Sequence, residues 1–424
     1  MIFKQTLENK MVAWSAATKI VFRFFFAFIL LFILSFSFPH EYLHDIGSIT
    51  SPFFEMLAKW AAENIFNIKQ PFTSELISDS TGLYVHVFNL FIISVIICFV
   101  WSVTDKKRNN YDKFFHWLVV IARYYLALQL FVYGFNKVFK MQFYLPEPNT
   151  LYTPLGNISP DLLYWSTMGI SRTYTMFLGC AEVLAAYLLL FRKTSLFAAL
   201  ISIAILINVL AINFGFDISV KVYSAFLLLL AIVIVSPDAK RMFIFFFSQK
   251  QKDFLRWEPV FTSAKAHSIY QISKTIVICA MLFDVLSVYF INNNFNDDKT
   301  ERPPLHGAYE VTLFLKDKDT LAPLLTDTVR WKKMFIHRKG YLIPQLMNDE
   351  MQDYKLQYDL PNKKLLIANY ETGEKTFFTF TQPSESEIIL NGKLNSNDLT
   401  IHLKKINLSD LPALQSGFHW TVDE

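Results

Sequence analysis

Cysteine and glycine are both scarce in this chain of 424 residues. Its three cysteines, Cys98, Cys180 and Cys279, form no C-x-x-C pair, and the C-terminal part has none. Dithiol exchange and a fold held together by disulfides within the chain are therefore excluded. The sequence also lacks a stripe of basic residues interleaved with aromatic ones, so we expect no nucleic-acid partner.

Apolar residues are abundant instead, and they are concentrated in the first 292 residues. The chain is 53% hydrophobic and contains 43 phenylalanines, which is too apolar for a soluble two-domain protein. A helix of about 20 apolar residues crosses a hydrocarbon core roughly 30 Å thick. We therefore predict a polytopic α-helical membrane protein with about seven transmembrane helices. The predicted spans are 18–38, 84–104, 115–137, 173–192, 195–214, 218–236 and 268–292.

The charge of the loops between these spans predicts the orientation of the chain. Lysine and arginine cluster in 105–113, 192–193 and 240–265, in alternation with loops that lack such clusters. Because positively charged loops stay on the cytoplasmic side, these segments and the N-terminus should be cytoplasmic. The first span ends without a small-residue cleavage site, so we expect an uncleaved anchor. The predicted location is the cytoplasmic (inner) membrane, with the lipid bilayer as a partner and the C-terminal domain extracytoplasmic.

Two outer loops of the predicted membrane domain (1–292) have patterns of their own. In 52–68, apolar residues recur at helical spacing and Glu55 and Lys59 are four apart, which is typical of an interfacial helix. The loop 141–172 contains four prolines, and we expect a structured lid over the outer half of the bundle.

After a polar linker at 293–304, residues 305–424 have the pattern of an extracytoplasmic β domain. Short β-branched and aromatic runs are separated by turn signals such as Asn391-Gly392. Hairpin-length connections predict an antiparallel β-meander, a small barrel or half-barrel. The predicted strands are Tyr309–Leu315, Trp331–His337, Tyr354–Tyr358, Lys364–Tyr370, Lys375–Thr381, Glu387–Leu394, Leu399–Lys405 and Phe418–Val422.

Some ionisable residues lie inside predicted spans, where hydrocarbon is a poor environment for charge. Arg123 and Lys137 are on one span and Glu182 is on the next. A charge there costs several kcal/mol unless it is paired or faces a polar cavity. We expect a buried Arg123–Glu182 ion pair, and we expect Gly134 to permit close approach of the helices.

A second polar group follows near the predicted outer surface. Asn213, Asp217 and Lys221 lie close together across a tight reversal, and the last two are four apart and able to pair. Together with Arg123, Lys137 and Glu182 they form our candidate ligand-binding set. The alternative is that these side chains hold helices together or extend to the headgroups.

The sequence His40-Glu41-Tyr42-Leu43-His44 has the H-E-x-x-H spacing of zinc metalloproteases. Two imidazoles four apart on a helix can share one metal ion. A short pattern of this kind also arises by chance, and it directly follows Pro39 at the end of a span. We favour a helix N-terminus with interfacial histidines over a metal site at His40 and His44.

The membrane residues also carry a resemblance to a known family. The stretches RYYLALQLFVYGFNKVF, around Arg123, and GCAEVLAAYLLLFRKTSLFAAL, around Glu182, resemble the DoxX family of membrane proteins. The resemblance covers roughly 112–240 and implies a four-helix membrane bundle there. DoxX proteins are associated with sulfur-compound and quinone-linked oxidoreductase complexes, so the resemblance also implies a quinone as a possible cofactor.

These observations lead to two functional hypotheses. The first is a DoxX-like component of a membrane redox system that handles a quinone or another small amphiphile at the outer half of its bundle. The alternative is a non-catalytic scaffold or assembly factor whose outer β domain binds an envelope protein or an apolar ligand. At the level of fold alone, membrane helices followed by an outer β domain also resemble the vitamin-K-dependent carboxylases.

Overall fold

The computed structural model describes residues 2–5, 13–35, 46–68, 78–248, 257–260, 263–370, 372–394, 397–415 and 421. These residues form two compact units. The first, called the helical unit, comprises Met1–Phe139 and Met176–Phe295. The second, called the barrel unit, comprises Lys140–Thr175 and Asn296–Glu424.

The helices are numbered α1 to α11 in chain order through both units. Those of the helical unit are α1 (Ala16–Ser35), α2 (Ile46–Asn64), α3 (Thr81–Thr104), α4 (Asp112–Val138), α7 (Arg172–Leu189), α8 (Ser195–Gly215), α9 (Lys221–Val235), α10 (Ala239–Ser248) and α11 (Ala264–Ile291). The barrel unit contains the short helices α5 (Pro148–Leu151) and α6 (Pro160–Ile170), and the first residues of α7 also belong to it. Two short strands, β1 (Ile2–Gln5) and β2 (Trp257–Val260), pair antiparallel in the helical unit.

Within the described residues, five helices are long and apolar enough to cross a membrane. They are α1, α3, α4, α8 and α11, and the number rises to six if α9 and α10 count as one broken span bent by 74°. The several apolar helices indicate a membrane protein. A helix forms at each of the seven predicted spans, but α7 does not meet the same criterion of length and hydropathy. Arg172 and Glu182 lower its mean hydropathy, so the predicted number of seven stays a prediction.

The helix α2 has two different faces. Ala58, Ala61 and Ala62 are fully buried, and Phe54 is nearly so. The opposite face exposes the apolar side chains of Ile49, Phe53, Met56 and Trp60. The predicted pair on this helix is present, with Lys59 Nζ 3.3 Å from a carboxylate oxygen of Glu55. The structure thus places a helix over most of 52–68, and its location at the membrane interface stays a prediction.

The C-terminal strands form a closed antiparallel β-barrel. The strands are β3 (Gly307–Lys316), β4 (Asp319–Thr320), β5 (Trp331–His337), β6 (Tyr341–Leu346), β7 (Tyr354–Asp359), β8 (Lys364–Asn369), β9 (Lys375–Ser384), β10 (Glu387–Leu394) and β11 (Asn397–Ile406). From β5 to β11 each strand pairs with the next, and β5 and β11 both pair with β3, so the sheet closes. The two-residue β4 extends the sheet beside β3. The predicted barrel is confirmed.

Among the described strands of the barrel longer than two residues, one was not predicted. It is β6, whose Pro344 has no N–H to donate to a ladder and usually marks the edge or end of a strand. Here Pro344 lies opposite Met334 of β5, while β6 pairs with β7 only through Tyr341 and Leu342. The predicted strand Phe418–Val422 lies, apart from residue 421, outside the described residues.

Large side chains fill the interior of the barrel. Trp331, Phe314 and Phe378 are 1% exposed or less, and they pack with apolar residues from every long strand of the sheet. Trp331 lies between the rings of the other two, at centroid distances of 6.1 and 6.2 Å. The centre of this barrel is therefore a packed core.

Candidate functional site

The clearest charged feature of the helical unit is an ion pair between α4 and α7. Lys137 Nζ donates to both carboxylate oxygens of Glu182, at 2.8 and 3.0 Å. The two residues are 6% and 4% exposed, and the Tyr133 ring lies 5.5 Å from the ammonium group. Two of the candidate residues thus neutralise each other directly.

Two glycines set the register of this helix pair. A Cβ atom on Gly134 would lie 2.7 Å from Val183 Cγ2, and one on Gly179 would lie 2.6 Å from the Gly134 carbonyl oxygen. The α4 and α7 backbones are in contact at this crossing, as the prediction for Gly134 required. The crossing also places Lys137 beside Gly179, because a Gly179 Cβ would lie 2.9 Å from Lys137 Cβ.

The predicted Arg123–Glu182 pair is wrong. The Arg123 guanidinium donates from Nε and Nη2 to the Leu189 carbonyl oxygen, at 3.0 and 2.9 Å. Leu189 is the last residue of α7, so Arg123 satisfies a carbonyl that has no partner within its own helix. Leu189 and Glu182 are separated by seven residues, or about 10 Å of helix. The contact between Gly134 and Gly179 brings Glu182 to Lys137, at the other end of α4. The distances of the charged residues from the ends of their predicted spans do not predict this register.

The remaining candidate residues join neighbouring helices. Asn213 of α8 donates to Ser224 Oγ of α9 at 3.0 Å. Lys221 Nζ lies 2.8 Å from a carboxylate oxygen of Asp217, so the predicted pair is present, although Asp217 is largely exposed. The hydrogen bond from Lys221 and the charge of its ammonium group lower the pKa of Asp217.

Asp79 completes this junction and was not predicted. Its carboxylate accepts hydrogen bonds from the backbone N–H groups of Lys221 and Val222, at 2.7 and 3.1 Å. A carboxylate at a helix N-terminus stabilises donors that have no partner within the helix. The polar residues at this end of the bundle thus form a helix junction.

A cavity lies at the end of α4 that carries Arg123. It has a volume of about 110 Å³, and its cationic wall consists of Arg123, Arg192 and Lys274, from α4, the turn after α7, and α11. Among the residues that the structure describes, nine line the cavity and none of them is acidic. Aromatic side chains form much of the rest of the wall, namely those of Trp117, Tyr124 and Tyr270.

The cations of this cavity also contact aromatic rings. The Arg192 guanidinium lies 5.9 Å from the centre of the Tyr270 ring, and Lys274 Nζ lies 4.7 Å from the Phe191 ring. Of these three cations only Arg123 is among the predicted site residues, whereas Arg192 was interpreted as loop charge and Lys274 was not predicted. Lys274 could have been identified as a candidate site residue from the sequence, because it is an ionisable residue inside the predicted span 268–292.

Metal binding finds no support in the described residues. No group of three or more His, Cys, Asp or Glu side chains there has an arrangement that could hold a metal ion. The predicted alternative at His40 and His44 lies outside the described residues.

A polar centre around Glu147 in the barrel unit was not predicted from the sequence. Glu147 is 4% exposed and accepts hydrogen bonds from His306 Nε2 and from the Arg338 backbone N–H, both at 3.1 Å. The Arg338 guanidinium forms further ion pairs with Glu147 and with Asp297. These contacts fasten the segment 140–175 to the barrel and to the start of the C-terminal part of the chain. The residues are far apart in sequence, and no local pattern links them.

The surroundings of Glu147 change the acidity of several groups. Burial alone raises the pKa of Glu147, but the His306 hydrogen bond and the charge of Arg338 outweigh it and lower the pKa to about 2. Burial lowers the pKa of His337, against the attraction of Glu147. Glu147 is therefore a carboxylate, and His337, at the end of β5, is neutral at pH 7.

Comparison with known proteins finds a similar bacterial sequence. The chain is 32% identical over 140 residues to the uncharacterized protein YwoB of Bacillus subtilis (strain 168). The matching region is 31% of this chain and 82% of that protein. No family model and no solved structure matches the chain.

Proposed function

We propose a function from the geometry of the helical unit, because the relative's name assigns no activity. Over the matching region, this chain belongs to the same family as YwoB. The proposal is that the protein is a multi-pass protein of the inner membrane that binds the headgroup of a small amphiphile. Its N-terminus is cytoplasmic and its barrel is extracytoplasmic. The observation that carries this proposal is the cavity lined by Arg123, Arg192 and Lys274.

Charge is the first argument. Three cations converge on one cavity, and no carboxylate is among the described residues that line it. Like charges that line one cavity repel one another, and a partly buried cation has lost some of its water. A ligand with hydrogen-bond acceptors or negative charge would relieve both effects.

The shape and composition of the wall give the second argument. Tyr124, Tyr270 and Trp117 present flat apolar surfaces beside the cationic groups. At about 110 Å³ the cavity has room for the polar edge of a headgroup and not for a whole ligand, and such a wall suits the edge of a planar or compact headgroup. A quinone ring with two carbonyl oxygens has this chemistry, and so does an anionic lipid headgroup. An apolar tail would extend into the hydrocarbon around α4 and α11.

The quinone is the ligand that connects this cavity with a membrane redox system, as the DoxX resemblance implies. In that role the protein would bind the quinone and present it to a partner protein that exchanges electrons with it. Lys137 and Glu182 already neutralise each other, which supports a ligand site away from this pair. The predicted place of the ligand is the outer half of the bundle, whereas the cavity is at the Arg123 end of α4.

Ligand retention by the purified protein tests the proposal. The full chain is placed in lipid nanodiscs and incubated with a short-tailed ubiquinone or with phosphatidylglycerol, and bound ligand is measured by mass spectrometry. Arg192→Gln and Lys274→Gln should each weaken retention by about tenfold, the equivalent of one lost charge-assisted contact. Lys193→Gln is the matched control, because Lys193 is exposed, adjacent in sequence and not in the lining.

The two ligands give different outcomes. Retention of ubiquinone above that of phosphatidylglycerol supports the redox role, and the reverse supports binding of an anionic lipid. Equal retention by the parent protein and both cavity variants contradicts an amphiphile site at this cavity.

One observation favours the alternative of a scaffold. The barrel interior is filled by Trp331, Phe314 and Phe378, which leaves the outer surface of the barrel for binding. In that case an envelope protein would bind the outside of the barrel. Stable co-purification of such a protein with the isolated complex, without retained amphiphile, would support this second function.

A further inference from the structure

We infer that the barrel unit contains a binding site for one ring of a neutral saccharide, in the cavity between the segment 140–175 and the end of β5. The cavity has a volume of about 300 Å³ and lies beside the Glu147 centre. Ligand pockets range from about 300 to 1,000 Å³, so this cavity is large enough for one sugar ring. The inference does not depend on the proposed membrane cavity, because all its residues belong to the barrel unit.

An aromatic platform forms one wall of the cavity. It consists of Trp165 and Tyr144, and both rings are held in place by other side chains. Phe143, itself 5% exposed, packs against Trp165 at a centroid distance of 4.8 Å. The Arg338 guanidinium lies 4.1 Å from the centre of the Tyr144 ring. A rigid aromatic face can cover the apolar C–H face of a sugar ring without loss of side-chain freedom on binding.

Polar groups of several kinds line the rest of the cavity. Glu147, Asp161 and His337 contribute carboxylate and imidazole edges, and Ser166 and Thr150 contribute hydroxyl groups. Carboxylates accept hydrogen bonds only, and Ser166 Oγ already donates to the Leu162 carbonyl oxygen at 2.7 Å, which leaves it as an acceptor, whereas the Thr150 hydroxyl can also donate. A ligand that carries many hydroxyl groups can match this mixture, since each of its hydroxyls both donates and accepts.

The charges around the cavity argue against an ionic ligand. In the part of the chain that the structure describes, no lysine or arginine lines the cavity, so an anion would meet carboxylates without a compensating cation. A cation would gain little from Glu147, because Arg338 already forms an ion pair with it. Asp161 is exposed, and water screens its charge. A neutral ligand with hydroxyl groups is the class that this balance of charge favours.

Saturation-transfer NMR on the full chain in nanodiscs tests the inference. The probes are glucose, N-acetylglucosamine and their β-linked disaccharides, with choline as a cationic probe and inorganic phosphate as an anionic one. We expect transfer to at least one neutral sugar. Trp165→Ala should weaken its binding by about tenfold, the equivalent of one lost aromatic contact.

Two further variants separate binding from folding. Ser166→Ala removes a lining hydroxyl without removing the platform, and it should weaken sugar binding several-fold while the thermal unfolding of the protein is unchanged. Leu324→Ala, at an exposed position outside the cavity, is the control and should leave binding unchanged. The inference is overturned if no neutral sugar binds at about 10 mM, if choline or phosphate binds instead, or if Trp165→Ala and Ser166→Ala both bind as the parent does.

Discussion

Glu182 in the helical unit and Glu147 in the barrel unit are both 4% exposed, yet they are held in different ways. The donor in the described contacts of Glu182 is the flexible ammonium group of Lys137, which serves both oxygens. Glu147 is surrounded by a guanidinium group, an imidazole and a backbone N–H. Loss of one partner should therefore lower the stability of the protein more at Glu182 than at Glu147, because Glu182 has fewer other described partners to stabilise its charge.

Removal of Lys137 should have the largest effect of the changes considered. Lys137→Met leaves the Glu182 carboxylate buried without its cation, which costs about 3–5 kcal/mol in comparable buried pairs. The measurement is thermal unfolding of the purified protein in detergent, followed by circular dichroism.

The double variant Lys137→Met/Glu182→Leu is the control for that experiment. Replacing both partners by apolar side chains of similar size leaves no stranded charge, so most of the lost stability should return. If the double variant is as unstable as the single one, the two residues act independently and the pair is not what stabilises the crossing of α4 and α7.

Glu147→Gln should have the next largest effect, and its size should depend on pH. The folded-state pKa of Glu147 is lowered to about 2, so the stability it contributes is present above the unfolded value near 4.5 and is lost as the pH falls toward 2. The full contribution is of the order of 3 kcal/mol. Urea unfolding monitored by tryptophan fluorescence at several pH values measures it.

Only the difference between the two proteins is informative, because other carboxylates also titrate in this range. The parent and Glu147→Gln should differ most at pH 6 and converge as the pH approaches 2. A difference that is constant with pH would mean that the substituted amide disturbs packing and that the charge of Glu147 is irrelevant to stability.

Gly179→Ala should have the smallest of these effects, and it tests the register of the ion pair. The added methyl group would lie 2.6 Å from the Gly134 carbonyl oxygen, so the backbones of α4 and α7 must move apart. Overpacking of this kind costs about 1–3 kcal/mol. The matched change Gly215→Ala, where a Cβ meets nothing within 4 Å, should be neutral or slightly stabilising in the same thermal assay. Equal melting temperatures of Gly179→Ala and Gly215→Ala would contradict close contact between α4 and α7 at Gly179.

The two units also differ in how far they follow from sequence. Helices at all seven predicted spans and seven of the eight long barrel strands agree with local patterns of apolar runs and turn residues. The exception, β6, contains Pro344, which local rules assign to a strand end. In the helical unit, the residue types at the candidate site were evident because charge is conspicuous in an apolar run.

Which charges meet was not evident. Arg123 and Lys137 are fourteen residues apart on one helix, so both were plausible partners for Glu182 until the contact between Gly134 and Gly179 selected one. The Glu147 centre was missed altogether, because His306 and Arg338 are more than 150 residues away in sequence. Lys274 and Arg192 likewise join Arg123 only through the packing of separate segments.

Sequence by itself determines that this protein has a set of apolar helices long enough for a membrane, followed by an antiparallel barrel. Those properties depend on the length of apolar runs and on turn residues, which act over a few neighbouring positions. Only the tertiary structure decides which ionisable side chains neutralise one another and which are left around a cavity. A helix advances about 1.5 Å per residue, so a shift of one or two turns between helices exchanges one charge partner for another.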